Sequence, residues 1–174
     1  LFKLSQRVFP VIIENNLKMV PLTVNFENES YLDKVELSMP EFFKKLETAE
    51  TLPTTSQVSP GTFVDVFDEI LSEGDQVLGI FLASEFSGTY DSAQIAKNMI
   101  GSSNIRIIDS KSVCLGAFAL ILKAIELIKQ GIDINEIVDE LEKSKKNIVA
   151  VAGLDTLKYL EKGGRLSKGQ SIVG

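Results

Sequence analysis

Residues 76–90 read QVLGIFLASEFSGTY, and the fold class follows from them. Val77 to Ala83 is an unbroken apolar run, too short for a buried helix and without the alternation of a half-solvated strand. It fits a parallel strand covered on both faces. Ser84-Glu-Phe-Ser-Gly-Thr-Tyr90 then leads into a helix predicted over 88–99, with Ala93, Ile95, Ala96 and Met99 available for packing. A strand, a short polar loop and a helix make the first half of a βαβ unit.

Downstream the pattern repeats. NIRIID (104–109) predicts a strand, residues 112–130 an apolar helix ending at Gly131, and Asp133 caps a further helix carrying Ile137, Val138 and Leu141. NIVAVAG (147–153) reads as a strand and DTLKYLEK (155–162) as a helix. Upstream, Phe63, Val66, Phe67, Ile70 and Leu71 form one helical stripe stopped by Gly74. TLPTTSQVSPGTF (51–63) is a loop rich in Thr, Ser and Pro, and Ser38 with Glu41 makes a capping-box pattern that opens a helix to about Ala49. NFENESYLD reads as a polar turn region, MVPLTVNF (19–26) as a buried strand, and residues 1–16 as helical in spacing, with Pro10 against it. Strands alternating with helices imply an α/β fold with a parallel sheet. Its first domain is expected over 1–150, with a break near 147–153.

Composition narrows the function. Hydrophobic residues at 44% and charged residues at 24% are globular values. Lys+Arg 18 against Asp+Glu 24 gives a net charge of -6, and no Lys/Arg run exceeds a pair, which argues against a nucleic-acid partner. The histidine count is 0, so Ser-His and Cys-His dyads and zincin motifs are excluded within these residues. The single cysteine, Cys114, has apolar neighbours and is expected to be a small core residue in a reducing cytoplasm. The chain carries no GxGxxG, no GxxxxGK[ST] and no Gly-x-Ser-x-Gly. Acidic groups such as Asp65/Asp68/Glu69 read as solvated helix faces, and the Lys143–Lys146 stretch as a helix C-terminal charge cluster that suits the dipole and needs no ligand.

Ligands of open α/β sheets bind outside the carboxyl ends of the strands, which points to Ser84–Tyr90. There Ser87 is a natural N-cap, Gly88 allows close backbone approach, and the free N–H groups of the helix terminus suit a carboxylate or phosphate held by Ser84 and Ser87. The plain alternative is that Ser87 only caps its helix. Thr54-Thr55-Ser56-Gln57 is a second hydroxyl cluster, either turn chemistry or a partner converging with Ser87, and Ser59-Pro60 is predicted to start the next helix. Gly163-Gly164-Arg165 is foremost a C-cap, with Arg165 either solvated or aimed at a bound anion.

VPLTV (20–24), PTTSQ (53–57), SEFSGTYDSA (84–93), IDSK (108–111) and LEKGGRLS (160–167), in this order and at these spacings, resemble the DegV family, whose fold is also called EDD. The resemblance spans essentially the whole chain. It implies a first α/β domain over 1–150, lacking its first strand and the Asp-Ser-Thr-type loop that usually follows it. Residues 151–174 are then the start of a second, truncated α/β domain, with a family histidine beyond Gly174. It implies a long-chain fatty acid between the domains, its carboxylate met by Thr55 and Ser87, with Ser84, Gly88 and Arg165 nearby. Ala83 stands where many relatives have a serine. The best-understood relatives present the acid to a separate ATP-binding subunit of bacterial fatty acid kinase, so the resemblance implies a cytoplasmic, non-enzymatic lipid carrier. Such a carrier needs no cofactor or metal and touches membranes only transiently. The competing readings are a hydrolase using Ser84 or Ser87 as nucleophile, and an interaction domain whose hydroxyl loops are structural.

Overall fold

The structure is a computed structural model that describes residues 8, 10–151, 153–154 and 156–166. In chain order its elements are β1 (Thr23–Phe26), β2 (Glu29–Leu32), α1 (Met39–Thr48), β3 (Thr54–Ser56), α2 (Pro60–Ser72), β4 (Val77–Phe81), α3 (Thr89–Ile100), β5 (Ile105–Asp109), α4 (Leu115–Lys129), α5 (Ile134–Lys145) and α6 (Lys158–Lys162).

The α/β centre is the parallel pair β4–β5, registered from Val77 opposite Ile105 to Phe81 opposite Asp109. Successive side chains of a strand point to opposite faces, and both faces here are covered. Val77, Phe81, Ile105 and Ile107 pack with Phe63 and Phe67 of α2 and Ala93 and Ala96 of α3. Leu78, Ile80 and Ile108 pack with Leu120, Ala124 and Leu127 of α4 and Ile137 and Leu141 of α5. The apolar run at 77–83 is therefore explained by burial on two sides. Local signals place the helices: Ser59 accepts the Thr62 N–H at 3.1 Å to start α2 with Pro60 next, and Asp133 accepts the Asn135 N–H at 2.8 Å to start α5.

A second sheet, ordered β2-β1-β3, is antiparallel throughout. A tight turn at Glu27-Asn28 joins β1 to β2, with Glu27 at φ 42° and Phe26 registered opposite Glu29. Val24, Phe26 and Leu37 form its small core with Tyr31 and Phe42, closed by α1. The predicted capping box of α1 is present: the Ser38 N–H donates to Glu41 Oε2 at 3.0 Å.

Several expectations are corrected. The 19–26 segment gives a strand only from Thr23, and it is antiparallel. The expected polar turn region holds β2, and the expected Thr/Ser loop holds β3, because both short polar segments find backbone partners on β1. Residues 147–151, 153 and 154 form no strand and pair with no described strand, and Val149 is 83% and Val151 90% exposed. The helix expected over 112–130 starts at Leu115. Cys114 is its exposed N-cap residue at φ 50° rather than a core residue, since that left-handed turn swings it out of the apolar stripe. Residues 10–14 are helical; the rest of the helix expected over 1–16 lies largely outside the described residues, as does the end of the 151–174 segment.

Candidate functional site

The carboxyl ends of β4 and β5 lie side by side, and the loops that leave them build the site. After Phe81 the chain turns through Ala83, which is 1% exposed and donates its N–H to the Ser112 carbonyl at 2.9 Å. The loop then meets the amino end of α3. The N-cap is Gly88, not Ser87 as expected, because the Gly88 backbone (φ -70°, ψ 2°) already turns into the helix. Ser87 still serves the first turn. Its Oγ accepts the Thr89 N–H at 3.3 Å and lies 3.0 Å from Thr89 Oγ1.

Gly88 has a second reason to be glycine. A Cβ there would overlap Gln57 Oε1, which lies across it. Gln57 Nε2 donates to Ser92 Oγ at 3.1 Å, so this side chain ties the segment after β3 to the first turns of α3. Within β3, Thr55 faces opposite to Thr54 and Ser56, and Ser56 accepts a hydrogen bond from Asn25 Nδ2 at 3.0 Å. After α6, Gly164 takes φ 73° in the turn that carries Arg165, and the Arg165 guanidinium hydrogen-bonds the Gly163 carbonyl.

These parts enclose one cleft of about 380 Å³, lined by Thr55, Ser84, Ser87, Gly88 and Arg165 together with Leu22, Gln57, Glu85, Phe86 and Asp91. All five residues singled out in the sequence thus border the same space, although they come from positions 55 to 165. The amino end of α3 and the Arg165 guanidinium supply positive potential, and Glu85 and Asp91 oppose it.

Behind the cleft sits Asp109, 6% exposed at the end of β5. Its Oδ2 accepts the Ser84 hydroxyl at 2.6 Å and the Lys111 ammonium at 3.0 Å; its Oδ1 accepts the N–H groups of Lys111 at 2.9 Å and Ser84 at 3.3 Å. Burial alone would raise its pKa, but these hydrogen bonds outweigh burial and hold it below the usual carboxylate range. Lys111 also pairs with Glu85 at 2.9 Å; that bond and the one to Asp109 raise the Lys111 pKa, and the Lys111 bond lowers that of Glu85. Lys111 sits at φ 51°, a left-handed turn that folds its ammonium back over Ser84. Asp109, Lys111 and Gln57 were not among the expected site residues, although IDSK and PTTSQ contain them. An acid at the carboxyl end of the neighbouring strand was the available signal.

The nucleophile reading fares poorly on this geometry. Ser84 faces a carboxylate made less basic than usual, and a general base needs a pKa near the working pH. Ser87 faces the hydroxyl of Thr89. Among the described residues no group of three or more His, Cys, Asp and Glu is placed to hold a metal ion, and no helix is long and apolar enough to cross a membrane.

A family model described as "Uncharacterised protein, DegV family" matches residues 9–174. The chain is 42% identical over 156 residues to a DegV domain-containing protein of Caldanaerobacter subterraneus subsp. tengcongensis, covering 90% of this chain and 55% of that one. To a DegV domain-containing protein of Clostridium perfringens it is 37% identical, covering 93% and 58%. The chain therefore spans little more than half the length of these relatives. Among solved structures, a DegV family protein from Thermus thermophilus, described by its fatty acid binding, superposes with a TM-score of 0.82 at 30% identity, over 95% of this chain and 59% of that one. DegV from Bacillus subtilis, described as a fatty acid binding protein, gives 0.81 at 35% identity over the same shares. With its whole described architecture matched and the family pattern running from residue 9 to the end, the chain belongs to the DegV family.

Proposed function

We propose that the cleft receives the carboxyl head of a long-chain fatty acid and that the protein presents this acid to a separate ATP-binding kinase subunit for acyl-phosphate formation. The observation that carries the reading is the convergence of Thr55, Ser84, Ser87, Gly88 and Arg165 on one space at the amino end of a 12-residue helix. The Thr55 and Ser87 hydroxyls, helix N–H groups and one guanidinium are the donors an anionic head group needs. Each buried acyl CH₂ adds about 0.8 kcal/mol, so the tail supplies most of the affinity. Solved relatives at 30% and 35% identity are described as fatty-acid binders, which supports the same ligand class here. The absence of a GxxxxGK[ST] loop from the sequence suits a carrier whose partner holds the ATP. On this reading the protein works in the cytoplasm, meets membranes transiently and needs no cofactor. Residues 1–150 form the first domain and 151–174 begin the second.

The test is lipid retention. Protein purified as its host makes it, extracted and weighed by mass spectrometry, is expected to carry a long-chain fatty acid. Thr55→Ala and Ser87→Ala should each weaken binding by about tenfold, the worth of a hydrogen bond to a charged group. Retention undiminished in both variants overturns the head-group assignment. Acyl phosphate forming without the second subunit overturns the carrier role.

A further inference from the structure

Ser84 differs from the other hydroxyls of the cleft in what it faces. Ser87 Oγ donates to Thr89 Oγ1 at 3.0 Å, but its partner is a hydroxyl with a proton of its own, which can take over the donor role. Ser84 Oγ lies 2.6 Å from Asp109 Oδ2, an ionised oxygen with no proton to give, so Ser84 must donate. Lys111 Nζ, which has no lone pair, donates to Ser84 Oγ at 3.3 Å. The serine's proton and one lone pair are thereby spoken for. What remains for the cleft is a lone pair, which can accept a hydrogen bond and cannot give one.

We propose that Asp109 is a positioning residue that fixes Ser84 as a hydrogen-bond acceptor, so that one side of the cleft favours a head group carrying its own O–H. An ionised carboxylate is then pushed off Ser84 toward Ser87, the α3 N–H groups and Arg165. A carboxylic acid in its neutral form, or an alcohol, makes a full hydrogen bond to Ser84. The charged groups facing this corner are Glu85 and Asp91 on the rim, Lys111 above Ser84, Asp109 behind it and Arg165 opposite. The inference rests on the reading of the cleft as a head-group site and adds which chemistry each side of it prefers. It also gives the buried acid a function in selecting ligands as well as in holding the loop.

The roles can be reversed by one atom. In Asp109→Asn, Oδ1 keeps the N–H groups of Ser84 and Lys111, while Nδ2 takes the place of Oδ2, gives up the Lys111 ammonium to Glu85 and donates to Ser84 Oγ. Ser84 is then free to send its proton into the cleft. Lipid-free protein, prepared from the form its host makes, is titrated with hexadecanoic acid and with 1-hexadecanol at neutral pH, and the ratio of the two affinities is read. Asp109→Asn is expected to raise the acid-over-alcohol ratio, and to raise it about tenfold more when Ser84 is present than in a Ser84→Ala background. Ser84→Ala alone keeps the Asp109 carboxylate and gives a test by sign. It should raise the ratio about threefold if Ser84 accepts, because the alcohol loses a partner, and lower it if Ser84 donates to a carboxylate. A fall in that ratio, or an equal rise from Asp109→Asn with and without Ser84, overturns the inference and leaves the head-group reading standing. Wild-type protein that binds neither probe overturns both.

Discussion

The two walls of the cleft are held by different physics. The wall formed by residues 82–88 hangs from β4 and β5, strands covered on both faces by helices, and is tied from behind by the buried Asp109. The opposite wall, at Thr55, belongs to β3, a three-residue strand exposed along its length and paired on one side to β1. Gln57 is the clasp between them, through Ser92. One wall is braced by packing on both faces of its strands and by Asp109; the other is an exposed edge with a partner on one side only.

The comparison breaks most easily through the cores. Phe63 is 1% exposed and sits against the rings of Phe67 and Phe81, whereas Phe42 in the hairpin core is only half-buried. Phe63→Ala should cost about 4 kcal/mol in chemical denaturation and Phe42→Ala about 2 kcal/mol. Equal losses would show that the two sheets are one equally packed body.

Asp109→Asn comes next, with a loss of about 2 kcal/mol at neutral pH from its charge-assisted bonds. The folded pKa lies below the unfolded value of about 3.9, so this contribution is complete above the unfolded value and is lost as pH falls through the folded one. The stability gap between the native protein and Asp109→Asn should therefore close in acid titrations monitored by circular dichroism. A gap that widens on acidification contradicts the ionised assignment. The smallest effect is expected at Thr55→Ala, under about 0.5 kcal/mol in stability, since the side chain is exposed on an edge strand. A large loss there would make the Thr55 wall as structural as the other.

What the sequence made legible follows the same division. The β4–loop–α3 unit announces itself because double burial demands an unbroken apolar run and because Ser, Gly and Thr mark a helix entrance. The hairpin sheet stayed hidden: Glu29–Leu32 and Thr54–Ser56 are short and polar, and only pairing with β1 makes them strands. NIVAVAG reads as a strand, but its described residues pair with no other described segment. All five expected site residues border the cleft, since each stands beside a loop or cap signal. Asp109 was missed as a site residue because its partner Ser84 lies 25 positions away and is brought near only by the β4–β5 register.

Cys114 gives the chain a practical property. It is the sole thiol, exposed at the entrance of α4 and a few residues beyond the Asp109–Lys111 turn. Within residues 1–174 a maleimide dye therefore attaches at one defined place without any engineered substitution. Its emission would report from the turn behind the cleft, which makes this exposed thiol a built-in gauge of whether that turn shifts on addition of a fatty acid.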